Sequence, residues 1–179
     1  MNYRDFLLRP LSKHFVDRLA EEIFLNTDDF ELVYQLIFDD EITVAWRAAW
    51  ACQKISEKMP LLFSDDQFNE IAALTISTTH QGLKRGCLSV LNNLTIPRPL
   101  PVDLLDACYD WMISAKSAIA VQALSLRLLQ KFCEAEPDLI PEMMAYLENF
   151  ETENLSPGMR ASRRNVIKSL SKISRANLL

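Results

Sequence analysis

The chain has 179 residues, 49% hydrophobic and 24% charged, with a net charge of −5, an ordinary globular composition with enough apolar material for a sizeable core. With three glycines in all, neither a Gly-rich phosphate loop nor a dinucleotide fingerprint can be built. The cysteines Cys52, Cys87, Cys108 and Cys133 form no C-x-x-C pair and the only histidines are His14 and His80, so the thiols read as buried and no metal or cofactor is implied.

Residues 1–10 (MNYRDFLLRP) are interrupted by charge, unlike a signal peptide. The most apolar segment, 118–133, carries Gln122 and Arg127 and is too short to span a bilayer. The expected location is cytoplasmic, with no membrane partner. Alternating β-branched runs are absent, and turn markers separate segments of helical periodicity, so the expected class is all-α.

Residues 11–26 place Phe15, Val16, Leu19, Ala20, Ile23 and Phe24 on one face, an amphipathic cap helix with Ser12 as its expected N-cap. Residues 3–8 can add a short turn before it. A helix is expected over 28–38. The Asp39-Asp40-Glu41 turn then leads into residues 43–60, TVAWRAAWACQKISEKMP.

In that segment Val44, Ala48, Ala51, Cys52, Ile55 and Met59 share a sector roughly 100° wide, the apolar stripe of a helix. Trp46, Trp50, Gln53 and Glu57 fall at roughly 180–240° from Val44, on nearly the opposite side. Pro60 ends the helix, Ser64-Asp65-Asp66-Gln67 is a capping box, and helices follow to residue 77 and over 80–94. IPRPLP at 96–101 cannot be helical and reads as a stiff linker between repeats. Residues 102–113 and 115–134 form a further hairpin, with Trp111 expected in its core. Another helix covers 138–150, and Ser156-Pro157 opens the last one, to residue 175.

The second helices align on their ends. CQKI at 52–55 matches LNNL at 91–94, LQKF at 129–132 and LSKI at 170–173, with offsets of 39, 38 and 41 residues. A period near 40 with two helices per unit resembles the HEAT and armadillo repeat families. The resemblance implies a right-handed α-α superhelix of four hairpins, about 28–60, 64–95, 101–136 and 138–175, behind a cap at 1–26, in one solenoid domain over 1–179. Its core is expected to hold Val44, Ala48, Ile55, Leu88, Leu91, Leu94, Leu128, Phe132, Val166, Leu170 and Ile173.

In such arrays the second helices line the concave side. The Trp46, Trp50, Gln53 face then maps onto Arg85, Ser89 and Asn92, onto Ala123, Arg127 and Gln130, and onto Arg164, Lys168 and Ser171. The four second helices together carry +11, so the remainder of the chain sums to −16. A basic strip on an acidic body focuses field onto an anionic ligand. The candidate binding residues are Trp46, Trp50, Gln53, Arg85, Asn92, Arg127, Gln130, Arg164 and Lys168. Two alternatives stand beside this: the tryptophans pack under the cap helix, and the last helix's cations are only a solvated face.

Three functional classes remain open. The first is a non-catalytic binding or scaffold module that holds an extended, acidic peptide or protein segment through Trp and amide side chains. The second is nucleic-acid binding, similar to HEAT-like DNA glycosylases, although Glu57 is the sole carboxylate on the tryptophan sector and no catalytic residue is assigned. The third is a structural subunit that docks through its convex or terminal surface. No nucleophile, base and oxyanion-donor set can be assembled, so the chain is not expected to be an enzyme.

Overall fold

The computed structural model describes residues 2–9, 13–149 and 155–176, and among them every regular element is helical. The chain divides into two compact units, Met1–Pro97 and Arg98–Leu179. The first contains α1 (Tyr3–Leu8), α2 (Lys13–Leu25), α3 (Phe30–Gln35), α4 (Ile42–Lys58), α5 (Asp65–Ser77) and α6 (Gln81–Asn93). The second contains α7 (Val102–Ile113), α8 (Ile119–Ala135), α9 (Ile140–Glu148) and α10 (Pro157–Ala176).

In the first unit α2, α4 and α6 pack in sequence, with α3 against α4 and α5 against α6. Small residues make this possible. Ala45, Ala48, Ala49 and Ala51 are all buried along α4, so helices approach it from several sides at once. Its N-terminus is held by a short relay. Arg4 donates to Asp39 at 2.6 Å, and the other Asp39 oxygen accepts from the Glu41 backbone N–H at 2.8 Å. The guanidinium hydrogen bond holds the Asp39 carboxyl below its ordinary range. Glu41 then caps the helix by accepting from the Thr43 N–H.

Helix starts follow the sequence signals closely. Ser64 Oγ accepts from the Gln67 N–H while Gln67 Oε1 accepts from the Ser64 N–H, the reciprocal capping box. His80 Nδ1 accepts from the Leu83 N–H at 3.0 Å and opens α6. Ser156 Oγ accepts from the Met159 N–H at 3.2 Å, ahead of Pro157 at the first helical position.

Helix ends rely on arginine. Arg47 Nη1 donates to the Leu7 carbonyl in the last turn of α1 and to the Arg9 carbonyl at its C-cap, at 2.5 and 2.9 Å. Arg98 donates to the Ala135 carbonyl and to Glu136 at the end of α8. Arg163 Nε donates to the Leu147 carbonyl of α9 at 2.7 Å. Each cation meets carbonyls that have no intrahelical partner, at the negative end of a helix dipole.

In the second unit α8 packs against α7 and α10, and α9 against α10. Helix α8 starts at Ile119 instead of residue 115, because the Ser117 N–H turns back to the Ser114 carbonyl and Ser114 Oγ accepts from the Lys116 N–H. The helix expected over 28–38 is α3 between 3-10 turns at Thr27–Asp29 and Leu36–Phe38. That expected over 138–150 is a 3-10 turn at Pro137–Leu139 followed by α9. Ser12 and Phe150 lie outside the described residues.

Ten of the eleven expected core residues are buried, Phe132 fully. Ile173 is only half-buried, one turn beyond the fully buried Leu170 and near the end of α10. Trp111 is likewise half-buried, not a core residue.

Exposed faces of the second helices

Within α4, Trp46 and Trp50 stand one turn apart and stack, with ring centroids 6.3 Å apart and planes 12° from parallel. Both are half-buried, so neither full burial under the cap helix nor free exposure describes them. The Arg47 guanidinium sits 5.6 Å from the Trp46 ring centroid, while its Nη1 is committed to the end of α1.

The amides are engaged within the protein. Gln53 Nε2 donates to Glu57 at 3.1 Å, and Gln130 Nε2 donates to Glu134 at 2.7 Å and to Ser169 of α10 at 3.3 Å. Asn92 Nδ2 donates to its own helix at the Leu88 carbonyl. Its neighbour Asn93 also reaches another helix, with Nδ2 donating to Ser56 Oγ of α4 at 2.9 Å. An Asn-Asn pair at a helix end gives no sequence signal for which member turns inward.

The cations divide into two groups. Arg4, Arg47, Arg98 and Arg163 are committed to carboxylates or helix-end carbonyls. Lys54 reaches Asp17 of α2 at 3.9 Å and Lys58 lies over the Phe24 ring at 4.7 Å. Lys84 and Lys131 have their ammonium pKa values pulled down by burial. Against these, Arg85, Arg127, Arg164 and Lys168 are exposed. None of the four joins a hydrogen bond or ion pair through its charged group among the described residues.

Arg85 lies in the first unit and the other three in the second. Lys172 and Arg175, also on α10 and also exposed, extend the set beyond the aligned positions; their signal was the three- and four-residue spacing of cations along that helix. Ser89 and Ser171 donate to carbonyls one turn back in their own helices. No group of three or more His, Cys, Asp or Glu among the described residues could hold a metal ion. No helix among them is long and apolar enough to cross a membrane.

No curated protein and no solved structure matches the chain. The family model of the HEAT repeat domain matches residues 3–170, and with the paired helices, the period near 40 and the second helices packed together within each unit it establishes that the chain belongs to the HEAT repeat domain family.

Proposed function

We propose that this chain is a non-catalytic interaction module that holds an acidic segment of a protein partner on the exposed faces of its second helices. HEAT repeat domains are interaction and scaffold modules, which supports the general class. The specific reading rests on one observation: the guanidinium groups of Arg85 and Arg127, at aligned positions of two hairpins, are exposed and uncommitted among the described residues, while the arginines elsewhere that close helix ends are consumed by the fold. In each unit, carboxylates of an acidic partner supply what these groups lack, through charge-assisted and often bidentate contacts. The half-buried Trp46–Trp50 stack offers an apolar surface in the first unit for aliphatic stems.

The test is the double charge reversal Arg85→Glu with Arg127→Glu, assayed by pull-down from lysate with and without nuclease. The expected result is loss of a nuclease-resistant protein partner with the melting temperature nearly unchanged, as for surface substitutions generally. Retention of every partner by a folded double variant would refute the reading. Partners that vanish on nuclease treatment would replace it with nucleic-acid binding.

A further inference from the structure

Among the described residues, the longest uncommitted charge array lies on α10. Taking about 100° per residue, Arg160, Arg164, Lys168, Lys172 and Arg175 fall within a sector roughly 120° wide, while Met159, Val166 and Leu170 are buried on the opposite side. The stripe runs about 22 Å along the axis at 1.5 Å per residue. Arg160 is half-buried and the other four are exposed. The sixth cation of the helix, Arg163, lies outside the stripe and is the one the fold uses, at the Leu147 carbonyl. The helix contains no acidic residue.

This arrangement works against the helix that carries it. Like charges at i, i+4 repel, and the stripe contains three such pairs, Arg160 with Arg164, Arg164 with Lys168 and Lys168 with Lys172. Arg160 stands at the end of the first turn, where the helix dipole disfavours a cation. No described acidic group is paired with any of the five. Only Arg175, in the last turn, is favoured by the helix dipole; a local rule broken repeatedly along the rest of a solvent face marks a surface kept for binding.

We infer that the α10 stripe, Arg160, Arg164, Lys168, Lys172 and Arg175, also docks the acidic segment, a refinement that rests on the binding reading above. One-turn steps of about 6 Å match alternate side chains of an extended peptide, about 6.6–7 Å apart. A segment with acids at every second residue therefore meets four or five cations without interruption. Nucleic acid fits less well. Helix α10 has no aromatic side chain on which bases could stack, and the second unit as a whole has as many acidic residues as basic ones. A duplex with a charge every ~1.7 Å would meet those acids, whereas a peptide places carboxylates only opposite the stripe.

The experiment uses the full chain with three neutral substitutions together, Arg164→Gln, Lys168→Gln and Lys172→Gln. The probe is a labelled peptide alternating Glu and Ser, followed by fluorescence anisotropy across a salt series, with a labelled oligothymidine as comparison. The expected result is salt-sensitive peptide binding that weakens at least about tenfold in the variant, with a melting temperature equal to or up to about 3 °C above the original because repulsion is relieved. Should the triple variant fail to fold, Lys168→Gln and Lys172→Gln singly give the same readout, each with a smaller loss. Three outcomes overturn the inference: no peptide binding at low salt, binding unaffected by the α10 substitutions, or tighter binding of oligothymidine than of peptide. If binding survives the α10 changes but is lost in the Arg85→Glu, Arg127→Glu variant, the assignment to α10 fails while the broader reading stands. If neither set affects it, both fail.

Discussion

Gly86 of α6 faces Ala49 of α4 so closely that a Cβ built at residue 86 would stand 2.9 Å from the Ala49 Cβ and 3.5 Å from its carbonyl carbon. The contact lies in the most extensive helix pairing of the first unit. Alanine at residue 86 would gain about 1 kcal/mol of helix propensity. It would also force two helices apart against a methyl group that has no rotamer to yield, and overpacking of this kind costs about 1–3 kcal/mol. The second effect wins. Gly86→Ala should therefore lower stability by about 1 kcal/mol, and the Ala49→Gly, Gly86→Ala double variant should recover part of the loss as a coupling in a denaturation cycle. A stabilised single variant would show that the helices are not in this contact.

Arg47 links α1 to α4 through its bonds to the Leu7 and Arg9 carbonyls, and its Nε is buried without a hydrogen-bond partner among the described residues. Replacement by Met keeps much of the volume and the apolar stem while removing the charged donors, each of which contributes about 1.5–3 kcal/mol. The damage should be local, because α1 is also held by Tyr3 to Asp29 and Arg4 to Asp39. Amide exchange should accelerate across Tyr3–Leu8 and stay slow in α6. Equal acceleration in both would mean that Arg47 supports the whole unit.

The repeat was legible because its signal is redundant. Ile55, Leu94 and Phe132 recur at one period, and each is buried where that period places it. The capping box at Ser64 and the Ser156-Pro157 start are local chemistry, so they too could be read directly. What stayed hidden depends on which group lies opposite. Nothing in the sequence near Arg47 says that the end of α1 arrives there, or that Asn93 and not Asn92 turns toward Ser56. The start of α8 moved because Ser114 competes for backbone groups, a choice that periodicity does not register. On the candidate face the cations were identifiable from spacing, but their division into structural and uncommitted groups required their partners.

Phe132 has no accessible surface and closes the aligned core pattern of α8, the helix that packs on both α7 and α10. Its replacement by Ala should cost about 3–5 kcal/mol, from lost transfer free energy and the cavity left behind, a large share of a domain's stability. Urea denaturation provides the measurement. A loss under about 1 kcal/mol would mean that the aromatic ring is not enclosed.

All four cysteines are buried as free thiols, and burial pushes the pKa values of Cys87, Cys108 and Cys133 up to about 12. Burial raises Cys52 as well, reinforced by its proximity to Cys87. At neutral pH these groups should resist a thiol reagent in the native state and react once the chain is unfolded. The same shifts set the alkaline limit. An unfolded thiol loses its proton near pH 8.5, whereas the folded one keeps it to about 12, so between these values the folded state binds more protons than the unfolded state. Stability is then flat below pH 8.5 and falls as pH rises, by about 1.4 kcal/mol per thiol for each pH unit. The denaturation midpoint should drop steeply between about pH 9 and 10.5. Replacing Cys87 and Cys108 together by Ala should lower stability at neutral pH through small cavities, yet reduce the alkaline slope by about half, since two of the four thiols no longer contribute. An unchanged slope in that variant would assign the alkaline loss to other groups, with Tyr3, whose hydroxyl burial raises to about 12, the next to be replaced.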